Sequence, residues 1–161
     1  MNGRTSLGIE SPGVSRFLVA GLVSGLWVLV SGMLMAAAFG YREMSDVFSR
    51  IGLPVPTGAG AFVTHTLVRL GLGFAIVSLF VIARSALPRG RAIFAAAGFA
   101  WVLASFFPLL VMTTWGLFTT RLASEASAWS AIEFLLAAWI GSRIVERTRT
   151  LSRTAQLETE P

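Results

Sequence analysis

The segment Phe17–Phe39, FLVAGLVSGLWVLVSGMLMAAAF, contains twenty-three consecutive residues without a charged side chain. A helix rises about 1.5 Å per residue, so this segment is long enough to cross a hydrocarbon core about 30 Å thick. A secretory signal peptide is the alternative, because Arg4 and Arg16 precede the segment and Ala36-Ala37-Ala38 resembles a cleavage site. The apolar core of a signal peptide, however, spans only about 7–15 residues. The segment is therefore predicted to be a first transmembrane helix.

Three more apolar segments follow, at Ala61–Ala83, Ala92–Phe118 and Ala126–Ser142. Hydrophobic residues make up 55% of the 161 residues and charged residues 13%, against about 25% charged residues in a typical soluble domain. A soluble fold of this length exposes too much surface to hide so much apolar content. The sequence therefore predicts an all-α fold, an integral membrane bundle of four transmembrane helices over residues 15–145. Residues 1–14 are predicted to be a disordered cytoplasmic tail, and residues 146–161 a second cytoplasmic tail.

The first loop, residues 40–60, contains an amphipathic pattern. Apolar side chains recur there at helical spacing on one face, and charged side chains occupy the other faces. The apolar side chains are those of Met44, Val47, Phe48 and Ile51. The Leu53-Pro54-Val55-Pro56 segment then interrupts the pattern, since each proline removes a donor and restricts the residue before it. A short helix lying in the membrane interface is predicted in this loop.

The arginines predict the orientation of the chain. All thirteen basic residues are arginines, of which nine lie in the two tails and the second loop, three in the first and third loops, and one inside a span. Cytoplasmic loops carry the excess of basic residues in membrane proteins. Both termini are therefore predicted to be cytoplasmic. The composition, rich in Ala, Gly, Val and Arg, indicates a bacterial genome, so the predicted location is the bacterial inner membrane.

Two further features of the third and fourth spans lead to predictions. Pro108 predicts a kink in the third span. The third loop is predicted at Thr119–Ser127, and Trp115 and Trp129 beside it are predicted to belong to the outer aromatic belt.

Small residues form stripes on three of the spans. They are Gly21, Gly25 and Gly32 on the first, Ala97, Ala100 and Ala104 on the third, and Ala137 and Gly141 on the fourth. Close backbone approach at small residues drives helix association in lipid. The stripes are predicted to pack against each other within one bundle, and a homodimer formed through such a stripe is the alternative.

Three ionisable side chains lie inside the spans: His65, Arg69 and Glu133. An intramembrane charge costs at least about 2.5–3.5 kcal/mol on insertion scales, so it needs a partner or a wet cavity. Counting 1.5 Å per residue from the periplasmic ends of their spans places Arg69 about 12 Å and Glu133 about 9 Å deep. An Arg69–Glu133 ion pair is predicted, with His65 one helical turn above. Thr66 beside His65 and Thr113 on the third span are candidates for further hydrogen bonds.

The pair has two interpretations, which stay open at this point. It either fixes the register of the helices, or it forms a functional site, as a proton relay or as a pocket for an anionic head group or carboxylate. A minor alternative has Arg69 extending outwards and Glu133 facing a loop or a partner.

The residue types argue against several functions. Cysteine is absent and histidine occurs once, so a single chain cannot assemble an ordinary metal or haem site, and no cofactor is predicted. Gly-rich phosphate loops, nucleophile elbows and paired carboxylates are missing, so the chain is not expected to be an enzyme. The net charge of +5 accompanies no nucleic-acid-binding motif. Nucleic acid is therefore not a predicted partner.

The segment Phe62–Arg69, FVTHTLVR, is followed by Gly71, Gly73 and an arginine-rich turn at residues 83–90. This arrangement resembles a segment of uncharacterised small bacterial four-helix membrane proteins. The resemblance would cover most of residues 15–145 and implies the same fold. It implies no activity and no site.

The leading functional hypothesis is a non-enzymatic interaction or accessory subunit of a larger membrane assembly. It is based on short loops and on the lack of an extramembrane domain that would carry chemistry. The expected partners are membrane lipids and other membrane subunits or a second copy of the chain. The alternative hypothesis is small-molecule or lipid binding, or proton-linked transport, at a polar site formed by His65, Arg69 and Glu133.

Overall fold

Residues 13–147 of the chain are described here by a computed structural model. The predicted tails, residues 1–14 and 146–161, therefore lie almost entirely outside the described residues. Within the described part the chain is helical and contains no strand. Its elements in order are α1 (Val14–Met35), a π-helical turn (Ala36–Gly40), α2 (Tyr41–Arg50), α3 (Ala59–Arg84), α4 (Arg89–Trp101), a second π-helical turn (Val102–Phe106), α5 (Phe107–Thr114) and α6 (Thr120–Glu146).

Four helical stretches are long and apolar enough to cross a membrane: Val14–Ala38, Ala59–Arg84, Arg89–Thr114 and Thr120–Glu146. They confirm the predicted all-α bundle of four membrane-spanning helices. The start of α1, the turn at residues 85–88 and the end of α6 lie at one end of the bundle, the terminal end. The connections at residues 51–58 and 115–119 lie at the opposite end, the loop end.

The helix predicted in the first loop is present as α2. It continues from α1 through the first π-helical turn with no non-helical residue between them, and Val47 on its apolar face is buried. The helix ends where Gly52 adopts a φ of +69°. The Leu53 N–H donates to the Phe48 carbonyl at 3.0 Å, which is the closing bond of a Schellman motif. The placement of α2 in the membrane interface stays a prediction.

The fourth span is longer than its apolar segment predicts, and the prediction of a loop at Thr119–Ser127 is wrong. The α6 helix begins at Thr120, because the Thr119 side chain accepts a hydrogen bond from the Leu122 N–H at 3.1 Å and so caps the helix. In the first turn of the helix, Arg121 pairs with Glu125, four residues later, at 2.9 Å. Polar residues that pair at this spacing extend a helix beyond its apolar part.

The small-residue stripes lie mostly inside the bundle, but the prediction that the three stripes meet each other is only partly right. The glycines of α1 face α3, and Ala104 of the third span is exposed. A Cβ on Gly73 of α3 would overlap the backbone of Gly25 in α1. A Cβ on Gly141 of α6 would lie 2.8 Å from Ser24 Oγ, and the same hydroxyl donates to the Ala137 carbonyl at 3.0 Å. Helix α1 therefore packs closely on both α3 and α6, and the buried core also includes Ala92, Ile93 and Ala96 of α4.

The third span is irregular where Pro108 predicts it to be. The second π-helical turn ends just before Pro108, which lies in the first turn of α5. Proline lacks an N–H group, so it cannot donate to the carbonyl one turn earlier, and a wide turn accommodates the missing bond. Helix α4 packs on α3 and α6, whereas α5 packs on α6. A cavity consequently opens between α3 and α5.

Candidate functional site

Arg69 of α3 and Glu133 of α6 form the predicted ion pair. The Arg69 Nη1 donates to Glu133 Oε1 at 2.8 Å. The Glu133 side chain is 1% exposed and the Arg69 side chain 20% exposed. The carboxylate therefore lies in the interior of the bundle, with the guanidinium as its charge partner.

Helix α1 holds Glu133 in place through polar groups on its small-residue face. The Trp27 indole N–H donates to the Glu133 carbonyl at 3.1 Å. The Ser31 hydroxyl interacts with the Glu133 carboxylate and accepts from the Trp129 indole N–H at 2.9 Å. Helix α1 thus contacts both the backbone carbonyl of Glu133, through Trp27, and its carboxylate, through Ser31.

Gly32 of α1 provides the space that the guanidinium occupies. A Cβ at this position would lie 2.9 Å from Arg69 Cζ and 3.0 Å from Arg69 Nη2. Any larger residue would push the guanidinium away from α1. The polar site therefore involves three helices, although only α3 and α6 supply its charges.

A cavity of about 360 Å³ lies beside the ion pair. His65, Arg69 and Glu133 all line it, together with Ser105 and Ser130, whose hydroxyls are hydrogen-bonded to each other at 2.6 Å. Most of the remaining wall is apolar, including Val68, Leu72, Leu109, Met112 and Phe134. The site thus combines a few polar groups with an apolar wall, which is the usual composition of a small-molecule pocket.

The structure places the two predicted threonines outside this cavity. The Thr113 hydroxyl donates to the Leu109 carbonyl in its own helix at 2.8 Å, and Thr113 lines a separate groove between α5 and α6. Its predicted role beside the ion pair is wrong, because a helical threonine readily donates to the carbonyl four residues earlier. The Thr66 Oγ1 is buried, has no hydrogen-bond partner in the structure, and does not line the cavity.

Trp129 lies inside the bundle rather than in the predicted aromatic belt. It is half-buried and bonded to Ser31, whereas Trp115 is exposed at the loop end. The spacing in the sequence indicates the interior position of Trp129, since it precedes Glu133 by four residues and so lies on the same face of α6.

A second polar cluster, which the hydropathy pattern does not predict, lies at the terminal end. Glu146 pairs with Arg84 at 3.0 Å and with Arg89 at 2.8 Å. The Arg89 Nη2 also donates to Ser142 Oγ at 3.2 Å. The cluster is missed because the apolar pattern ends the fourth span at Ser142, which assigns Glu146 to a polar tail.

The described residues contain no group of three or more His, Asp or Glu side chains that could hold a metal ion. Comparison with known proteins finds no matching family model, no matching curated protein and no matching solved structure.

Proposed function

We propose that this chain is a binding protein of the bacterial inner membrane, with both termini in the cytoplasm, and that its cavity holds a small amphiphile. The observation that carries the proposal is the cavity of about 360 Å³ that presents Arg69, Glu133 and His65 within a largely apolar wall. Its volume falls in the range of about 300–1,000 Å³ that is typical of ligand pockets.

The donors in the cavity indicate the head group. An arginine carries five N–H donors, and Arg69 uses one of them in its bond to Glu133. His65 is exposed on the same helix face and also lines the cavity. Donors in an apolar wall favour a ligand with acceptor oxygens, such as a carboxylate or a phosphate. We therefore propose a fatty-acid-like ligand, with its chain along Leu72 and Met112.

The interior of the bundle favours binding over proton-linked transport. Between the ion pair and the terminal end the core contains Ile76, Val77 and Phe80, which are fully buried. The buried hydroxyls of this region, those of Ser24 and Ser142, donate to backbone carbonyls of α6 and not to each other. Among the described residues the core therefore offers a proton no continuous chain of polar side chains to follow. The cavity is therefore proposed as a binding site with access from the loop-end half of the bundle.

A photoactivatable fatty acid with a diazirine in its chain tests the proposal. The full chain in lipid nanodiscs is irradiated with this probe, and the labelled residues are mapped by peptide mass spectrometry. We expect labelling on the α3 and α5 peptides that contain Leu72 and Met112. The Leu109→Trp substitution fills the cavity and should lower this labelling about tenfold, which corresponds to about 1.4 kcal/mol of binding free energy.

Leu103→Trp is the matched control, because Leu103 is an exposed residue of the same span and does not line the cavity. It should leave the labelling unchanged. A methyl ester of the same probe, which lacks the ionised head group, should label these peptides less than the acid. Equal labelling of wild type and Leu109→Trp would show that the probe reaches α3 and α5 from bulk lipid and would overturn the proposal.

An accessory subunit of a membrane assembly is the second candidate. It is supported by the short connections between the spans. The longest helix outside the four spans in the described chain is α2, of ten residues, so the described connections contain no domain that would carry chemistry of its own. Native mass spectrometry of detergent-free membrane extracts would detect a partner. A chain recovered only as a free monomer would count against this candidate.

A further inference from the structure

A groove of about 650 Å³ lies at the terminal end, beside the cluster formed by Arg84, Arg89 and Glu146. Charged and apolar side chains share its walls. The charged ones are Arg89, Arg143, Glu146 and Arg147, and the apolar ones are Trp139, Ile140 and Ile144. All except Arg89 belong to α6 or, in the case of Arg147, directly follow it, so the groove follows the last turns of that helix next to the start of α4.

The terminal end carries a large positive charge. Its described arginines are Arg16, Arg84, Arg89, Arg91, Arg143 and Arg147. Glu146 is the acidic side chain that faces them, and no other Asp or Glu of the described residues lies at this end. Because Glu146 already pairs with Arg84 and Arg89, Arg143 and Arg147 have no carboxylate partner among the described residues. The groove therefore attracts anions.

Two local features bear on the ligand of this groove, one on its position at the membrane surface and one on its charge. The Arg143 guanidinium lies 5.3 Å from the centroid of the Trp139 ring, and this ring is partly exposed on the side of the bundle. Tryptophan at such a position lies at the boundary between acyl chains and head groups. Helix α4 begins at Arg89 without a side-chain cap, so the N–H groups of its first turn add a partial positive charge.

We propose that this groove binds the head group of an anionic phospholipid. The phosphate lies among Arg89, Arg143 and Arg147, since the guanidinium fork matches phosphate oxygens. The acyl chains run along Trp139, Ile140 and Ile144. An anionic lipid complements both parts of the groove, because its phosphate matches the positive charge and its acyl chains cover the apolar wall. A free phosphate ion would leave the apolar wall uncovered. The site is independent of the proposed cavity, because it shares no residue with it.

The test measures lipid retention by the full chain. Nanodiscs that contain equal amounts of phosphatidylglycerol and phosphatidylcholine are prepared, and the lipids that remain bound on release are counted by native mass spectrometry. We expect wild type to retain phosphatidylglycerol selectively. Arg143→Gln and Arg147→Gln should each weaken retention about fivefold, and the double variant about 25-fold, because a basic residue near an anionic lipid contributes about this much.

Matched controls separate the groove from charge and folding effects. Arg121→Gln removes an exposed arginine at the loop end and should leave retention unchanged. Leu109→Trp alters the cavity and does not touch the terminal-end groove. It should also leave lipid retention unchanged, so that failure of this proposal and of the proposed function can be told apart. Thermal unfolding in phosphatidylcholine alone should be the same for wild type and for the double variant, whose substituted side chains are exposed.

Three results would overturn the proposal. One is selective retention of phosphatidylglycerol by the double variant at the wild-type level. Another is equal retention of the two lipids by wild type. The third is displacement of the lipid by millimolar inorganic phosphate, because a groove that recognises a lipid through both its head group and its chains resists a competitor that lacks chains.

Discussion

Glu133 and Arg69 differ in how each could tolerate the loss of its partner. The attraction within a buried ion pair roughly offsets the cost of removing both charges from water, so the intact pair adds little net stability. Removal of one partner is costly, because it leaves the other charge without compensation. Arg69 is partly exposed to the cavity, whereas the Glu133 carboxylate is enclosed. Without its partner, the flexible Arg69 side chain could extend towards a polar region. The shorter Glu133 side chain, which is held by α1, could not.

This asymmetry predicts the effect of single substitutions. Arg69→Met should lower the free energy of unfolding by about 3 kcal/mol, since it leaves a buried carboxylate unpaired. Glu133→Gln should cost less, because the amide oxygen still accepts from Arg69. The double variant Arg69→Met/Glu133→Gln should be less destabilised than the sum of the single changes by about 1–3 kcal/mol. Unfolding in detergent, followed by near-UV circular dichroism, measures all three.

Arg121→Gln is the control for this cycle. It removes an exposed arginine from a pair one helical turn apart, so no measurable change in stability is expected. Strictly additive losses in the double variant would contradict the view that Arg69 and Glu133 compensate each other.

At the scale of the helices, the contact between α1 and α3 depends on glycines that face each other. Gly73 approaches the backbone of Gly25 so closely that a single methyl group would overlap it. Gly71 lies two residues earlier on α3, and a Cβ there would meet nothing within 4 Å. The two glycines thus lie on the same helix within about 3 Å of each other along its axis, and they differ in what they face.

This difference predicts opposite effects of one substitution. Gly73→Ala should destabilise the bundle by about 1–3 kcal/mol, because α1 and α3 have to separate. Gly71→Ala should be neutral or slightly stabilising, since alanine favours a helix over glycine by about 1 kcal/mol. Thermal unfolding of the two variants side by side measures this. Equal stabilities would show that the contact between α1 and α3 is not tight.

The sequence predicts the spans and the ion pair but not the ends or the rotation of the helices. Arg69 lies ten residues after the start of α3 and Glu133 thirteen residues after the start of α6, so their distances from the helix starts are about 15 Å and about 20 Å. They meet because α6 begins with a polar, capped turn that the apolar pattern omits. The depth of Arg69 and Glu133 is counted from the start of the apolar part of each helix. Hydropathy locates this part, and the two residues therefore come out at similar depths.

Helix rotation decides which side chains join the site, and a single sequence defines it only weakly. Thr113 lies at a suitable depth but donates to its own helix, whereas Trp129 and Ser31 face Glu133. Ser31 lies on the small-residue stripe that includes Gly32, so the stripe marks the face of α1 that contacts the polar site. Such stripes could be used to predict the third helix of a charged pair.

At the scale of the whole molecule, the charges separate the two ends of the bundle. Among the described residues, the terminal end carries six arginines and one acidic side chain, while the loop end carries Arg42, Arg50 and Arg121 with Glu43, Asp46 and Glu125. The loop end is therefore balanced and the terminal end positive. The four spans alternate in direction, so the start of α1 and the end of α6 lie on the same side of any membrane that the bundle crosses.

The positive-inside rule then predicts which side this is. The chain contains no cysteine, so single-cysteine variants can be labelled without background. Thr57→Cys in the first connection should react with a membrane-impermeant maleimide in intact spheroplasts. Ser85→Cys, in the turn between α3 and α4, should react only after the membrane is permeabilised. Both residues are exposed, so both variants should react equally in detergent, which controls for reactivity. Reaction of Ser85→Cys in intact spheroplasts would place the six arginines outside, and the proposed cytoplasmic position of the termini would be wrong.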